Sequence, residues 1–374
     1  MNDPTPEELD RLLAEGNARI ADGDPEGAVP VLEQALEVCR VLVEETVVAR
    51  SVEPRVLGRI AMALSLGGEP AEAVRVGRRA YELTGSLYGD DYDCTLVDVA
   101  LAAVNFARFL AADGHGDEAL ECAYYGLQHL DELVPGAPLT YLGWRAALLQ
   151  AVAEVEPESD EEPWLTPLAA RRDLVATCRR LVDLDPAEPQ YATDLAEALL
   201  LLAKAVSDEP SQDDTDGDGE VPDDEPAAVR TAREAVGILH GQAAPPSGLN
   251  ALARGLSVLA GLLSDEGRDD DAEAFVAQVA AGFGEPWASR LPLLVVTWEW
   301  ALAPTFGSEQ SVLEFNDDLR DPDADDVVEF AFADLPPTEA TRLRALRVAS
   351  RELGVAEAYS RRAEDPLGFL VTYA

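Results

Sequence analysis

Along residues 8–281, apolar and small positions fall in helix-length blocks separated by short breaks of glycine, acidic residues and proline. One distance recurs across the breaks. A small residue stands twelve positions before an alanine at Gly16 and Ala28, Ala61 and Ala73, Ala107 and Ala119, and Ala260 and Ala272. A fifth pair, Ala196 and Ala228, keeps the spacing once twenty inserted residues are set aside. The pattern predicts helix, tight turn, helix, with small residues where two backbones approach. It predicts about six such pairs.

The first pair reads GNARIADGDPEGAVPVLEQALEV. Gly23, Asp24 and Pro25 supply in order a helix stop, an N-cap and a proline at the first helical position. Gly16, Ala28, Leu32 and Ala35 take the small and apolar packing places. The second pair carries Gly68, Ala73, Gly77 and Ala80, the third Gly114, Ala119 and Gly126, and the sixth Gly267, Ala272 and Val276. Together these motifs resemble tetratricopeptide repeats. The turn-following alanines at 28, 73 and 119 lie farther apart than the ordinary 34-residue period. With LYGDDYDCTL entering the third pair, they make the chain similar to the long-repeat arrays of kinesin-light-chain type. The resemblance implies an all-α fold, a right-handed superhelical solenoid of antiparallel helix pairs.

The fourth and fifth pairs are degraded. A helix from Pro138 ends near Glu154, the acidic EPESDEEPW follows, and a second helix carries Ala169 and Ala176. The fifth pair is interrupted at 207–226, between its two helices, where a surface loop grows at low free-energy cost. The array therefore occupies 1–281. Residues 282–374 differ, holding three of five tryptophans and six of nine phenylalanines. LPLLVVTWEWAL is apolar almost all round and is expected to be buried. DVVEFAF fits either a strand or a helix. TEATRLRALRVASRELGVAEAYSRR reads as one amphipathic helix with Leu343, Leu346, Leu353 and Tyr359 inward. A capping module that covers the last repeat's apolar face is the plain reading of this tail.

Composition narrows the class. Apolar residues make up 47% of 374, ample for a core, while aromatics are only 6%. Cys39, Cys94, Cys122 and Cys178 are scattered without metal-type spacing and read as buried small hydrophobes in a reducing compartment. No basic and apolar leader and no membrane-length apolar run is visible, so the expected location is cytoplasmic. The net charge of −44, with Lys204 the only lysine, gives a well-solvated acidic surface. It also disfavours nucleic acid, which needs a basic footprint.

Two candidate sites follow. Inside the insertion, Asp214, Asp216, Asp218 and Gly219, with Glu225 six residues later, satisfy D-x-[DN]-x-[DN]-G-x5-E. This resembles the calcium loop of EF-hand proteins, which implies carboxylates from Asp214, Asp216, Asp218 and Glu225 and a backbone carbonyl from Glu220. Ten of the twenty residues 207–226 are acidic, and Pro210, Asp213 and Pro222 depart from the loop, so a disordered acidic linker is the competing reading. The second site is the concave groove lined by the first helix of each pair. Carrying the family's groove positions across selects Asn17, Arg55, Arg59, Met62, Asn105, Arg108, Tyr141, Arg145 and Arg254. Asn17, Arg55 and Arg59 partly resemble a carboxylate clamp, with Leu13 standing in place of one basic residue. Arginines paired inside the array are the alternative.

Catalysis finds no constellation. His115, His129 and His240 have no partner set, and neither GxSxG, a phosphate-binding glycine loop nor a paired-histidine metal motif occurs. The leading expectation is a non-enzymatic scaffold binding a peptide or helix of a partner protein. A calcium-responsive regulatory subunit, or an effector with its chemistry in 282–374, are the alternatives. The basic stretch from Arg342 to Arg362 is expected to dock on the acidic repeats, with a separate acidic partner as the alternative.

Overall fold

The helices start and stop where local capping chemistry puts them. In the first turn Asp24 accepts a hydrogen bond from the Gly27 N–H at 3.0 Å, and Pro25 follows as the first helical residue. Gly23 has φ +77°. The Asp24 N–H donates to the Arg19 carbonyl and the Gly23 N–H to the Ile20 carbonyl. This is the paired closure that a left-handed glycine permits at a helix C-terminus. The same two bonds recur at Gly68, Gly114 and Gly267, whose φ values are +83°, +81° and +70°. Four helix pairs thus reverse direction by one device. Gly114→Ala has open space around its Cβ but the wrong φ. The substitution is expected to cost about 1–2 kcal/mol, measured by chemical denaturation.

The computed structural model describes residues 4–45, 48–90, 94–156, 165–207 and 225–373. Among them the protein is all-α, with no strand. The chain divides into two compact units, Met1–Tyr191 and Ala192–Ala374.

The first unit contains α1 (Pro6–Ala21), α2 (Pro25–Glu44), α3 (Val52–Leu66), α4 (Pro70–Asp90), α5 (Leu96–Ala112), α6 (Gly116–Leu133), α7 (Pro138–Val152) and α8 (Pro167–Leu184). Each helix packs on the next, and α1, α3, α5 and α7 also touch in succession. The small residues sit where the spacing placed them: Gly16, Ala28, Ala61, Ala73, Ala107 and Ala119 are all buried. A Cβ on Gly16 would stand 2.5 Å from Leu32 Cδ2, and one on Gly77 2.6 Å from the Phe109 ring, closer than side chains pack. Arg78 of α4 pairs with Glu118 of α6 and lies 5.2 Å over the Phe106 ring of α5, tying three helices together.

The second unit holds α9 (Pro189–Ser207), whose first turn carries the division, then α10 (Ala227–Gln242), α11 (Leu249–Asp265) and α12 (Asp269–Ala281). Ala196, Ala228 and Ala272 are buried and Ala260 is half-buried, so the fifth and sixth spacings also mark packing positions. The tail continues as α13 (Trp287–Ala301), α14 (Phe306–Phe315), α15 (Asp325–Phe332), α16 (Pro337–Leu353), α17 (Val355–Glu364) and α18 (Pro366–Tyr373). Helix α13 packs on α11 and α12 and buries Leu291, Leu294, Val295, Trp298 and Trp300.

Three tail expectations are resolved. DVVEFAF is helical, because Val327, Val328, Ala331 and Phe332 recur on one buried helical face. The long amphipathic helix is two helices, broken at Gly354 with φ +87° and ψ 155°, a conformation reserved to glycine. The basic stretch is neutralised inside the tail rather than on the repeats. Arg344 pairs with Glu329, Arg347 and Arg351 with Asp325, Arg361 with Glu357, and Arg342 and Arg362 with Glu309.

Candidate functional site

Helices α3 and α5, the first members of consecutive pairs, lie side by side and leave a trough between them. A cavity of about 210 Å³ is bounded by Arg55, Arg59 and Met62 from α3 and by Asp98, Asn105 and Phe109 from α5. A larger one of about 840 Å³ continues past Met62, Asn105 and Phe109 to Leu66, Arg108 and the chain after α7 at Val155. Met62, Asn105 and Phe109 border both cavities, which adjoin along α3 and α5. Five of the nine groove residues selected from sequence, Arg55, Arg59, Met62, Asn105 and Arg108, therefore line one trough.

Their electrostatic states differ. Arg55 reaches Asp98 at 2.9 Å, while the other oxygen of that carboxylate accepts from the Thr95 N–H and hydroxyl at 2.9 and 2.8 Å in a capping box. Burial works to raise the Asp98 carboxyl, but the Thr95 hydrogen bonds and the Arg55 charge outweigh it and hold the group below the usual carboxylate range. The Arg55 side chain remains 60% exposed, so the pair fixes its position more than it stabilises the fold. Arg59 and Arg108 are exposed and have no ion-pair partner among the described residues. Of the two arginines in the clamp-like set, Arg55 is already engaged by Asp98 and Arg59 has no ion-pair partner among the described residues.

The other groove residues fall elsewhere. Arg145 is spent internally: its side chain is 14% exposed and pairs with Asp131 at 3.1 Å and Asp173 at 3.2 Å, and it also bonds Thr177. Tyr141 packs with Val134, Leu142 and Leu181, its ring edge-on to Trp144 at 5.4 Å. Asn17 is exposed on α1. Arg254 belongs to the second unit, where it pairs with Glu197 and lies 5.9 Å over the Trp298 ring.

Asp214, Asp216, Asp218 and Glu220 of the calcium-loop motif lie outside the described residues. Glu225 is described, and its carboxylate is held by Arg233 at 2.7 Å. Among the described residues no three histidine, cysteine, aspartate or glutamate side chains gather to hold a metal ion. His115 occupies the α6 N-cap position and meets Asp113 at 3.1 Å, and His240 lies edge-on to Phe283. All four cysteines are buried with free thiols, and burial pushes Cys39 up to about 11 and Cys122 up to about 12. Both are inert thiols at neutral pH. No described helix is long and apolar enough to cross a membrane.

Two features had no sequence motif. One is the buried carboxylate Glu309, shared by Arg342, Arg362 and Tyr359. The other is Glu299, which faces a cleft of the second unit lined largely by aliphatic side chains. The sequence signal for Glu299 was a single acid inside the apolar run VVTWEWAL. Compared with protein-family models and with curated proteins, the chain matches none.

Proposed function

We propose that the chain is a tetratricopeptide-like solenoid that works as a non-enzymatic interaction scaffold, holding a peptide segment of a partner protein in the α3–α5 trough. The observation that carries this reading is the pair of open arginines. In a chain of 72 acidic and 28 basic residues, Arg59 and Arg108 stand along one apolar-floored trough without an ion-pair partner among the described residues. A peptide carboxylate on either would form a charge-assisted hydrogen bond, while Met62 and Phe109 would take an aliphatic or aromatic neighbour. The tail serves as the cap, with α13 covering apolar faces of α11 and α12.

The test is a selection of displayed peptides on the intact chain, followed by titration of one winner. Arg59→Ala combined with Arg108→Ala is expected to weaken it roughly tenfold or more, on the scale of a lost charged hydrogen bond. Both side chains are exposed, so the melting temperature is expected to stay unchanged. Equal affinity for the double variant would remove the trough from the account.

A further inference from the structure

The second unit contains a cleft of about 910 Å³ between α11, α12, α13 and α14, reached also by the end of α9. Its volume lies near the upper end of the range for small organic ligands. The walls are aliphatic: Val258 and Leu262 from α11, Val276 from α12, Val295 and Val296 from α13, and Val312 from α14. Into this surface α13 brings Glu299, half-buried and with no hydrogen-bond or ion-pair partner among the described residues. A carboxylate carried against apolar walls without a partner is unfavourable, and a cation delivered with its own apolar body would satisfy both.

The charges around it point the same way. Asp265 of α11, with Asp269 and Glu273 of α12, line the cleft; among the described lining residues Lys204 of α9 is the one cation and α14 contributes no charge. Ser264 donates to Asp269 at 2.6 Å. An anionic amphiphile would meet four carboxylates, whereas an ammonium would meet complementary charge. Among the described lining residues there is no aromatic ring, so recognition of the cation falls to the carboxylates.

We propose that this cleft binds a small aliphatic amine, its ammonium on Glu299 and its hydrocarbon body along Val258, Val276, Val295 and Val296. The proposal is independent of the α3–α5 trough. Burial alone pushes the Glu299 carboxyl up to about 7. Without a cation beside it Glu299 is therefore partly protonated at neutral pH, and the ammonium displaces that proton. Affinity for the amine should rise as pH increases from 6 to 8. Folding stability runs the other way. The unfolded chain gives up this proton in the ordinary glutamate range, so stability falls as pH rises from that range through about 7. Glu299→Gln should accordingly be more stable than the parent at pH 8 and little different at pH 5.

The experiment is calorimetric titration of the full chain with octylammonium, octanoate and octanol at pH 6 and pH 8. Octylammonium is expected to bind at least about tenfold more tightly than octanoate at pH 8, and more tightly than it does itself at pH 6. Glu299→Gln should reduce octylammonium to the level of octanol. Ala277→Trp, a substitution at an exposed position on the cleft wall, should block all three probes. Octanoate or octanol binding as well as octylammonium, or Glu299→Gln leaving octylammonium unchanged, would overturn the proposal. So would the absence of octylammonium binding, including the case in which a lysine-bearing amphipathic peptide binds instead.

Discussion

Glu309→Ala is expected to destabilise the protein by about 3–5 kcal/mol, the scale for removing one partner of a buried ion pair. The carboxylate is buried at the start of α14. Arg342 and Arg362 both reach it, with side chains only 20% and 21% exposed. The Tyr359 hydroxyl donates to Glu309 at 2.8 Å and accepts from the Trp300 indole N–H at 3.2 Å. Truncation leaves Arg362 and a buried hydroxyl without their carboxylate acceptor and strips Arg342 of one of its two, Glu339 being the other. Tyr359→Phe removes the hydroxyl but leaves both arginines paired, so it should cost less, about 1–3 kcal/mol. Urea unfolding of the full chain gives both values. A loss under about 1 kcal/mol for Glu309→Ala would mean that the network is solvated and that the tail is held by its apolar contacts alone.

Gly116→Ala is the second large effect, expected at about 2–3 kcal/mol. A Cβ at this position would lie 2.2 Å from the backbone carbonyl oxygen of Glu156 and 3.2 Å from Val155 Cγ1. The obstacle is main chain, so no rotamer change relieves it, and the segment after α7 or the start of α6 must move. Gly237→Ala is the matched control: the glycine is exposed in α10 with nothing within 4 Å. It should gain up to about 1 kcal/mol from helix propensity. Opposite signs in denaturant unfolding are expected. A neutral Gly116→Ala would show that this close approach relaxes without cost.

The repeat turns were legible because each packs several local signals into a few residues. Gly23, Asp24 and Pro25 each have one backbone role, and the structure uses all three. The twelve-residue spacing was legible for a different reason: the paired small residues are packing positions, buried except for the half-buried Ala260, and a Cβ on Gly16 would press on the Leu32 side chain. Gly354 escaped notice because the apolar period runs on through it, with Leu346 before and Val355 and Tyr359 after all buried. Periodicity reports which face is buried, and two short helices can share one face. DVVEFAF was ambiguous at eight residues or fewer, where strand and helix patterns overlap.

The candidate site was only half legible. Groove positions on α3 and α5 followed from the repeat register, and Arg55, Arg59, Met62, Asn105 and Arg108 do line one trough. Which arginines are open did not follow, because pairing is a tertiary property. Arg145 meets Asp131, Asp173 and Thr177 at separations of 14, 28 and 32 residues, and Arg55 meets Asp98 at 43. Nothing local in the sequence distinguishes these arginines from Arg59. Glu299 was hidden for a related reason. A single acid in an apolar helix is conspicuous, but whether it faces a partner, solvent or a cleft depends on helices distant in the chain.

The central claim is that the trough between α3 and α5 is where a partner peptide sits. Hydrogen exchange of the intact chain, with and without a peptide selected on it, tests this most directly. The account predicts slowed exchange concentrated in Val52–Leu66 and Leu96–Ala112, absent in the Arg59→Ala and Arg108→Ala double variant. Protection confined to helices of the second unit, or unchanged by the double variant, would contradict it.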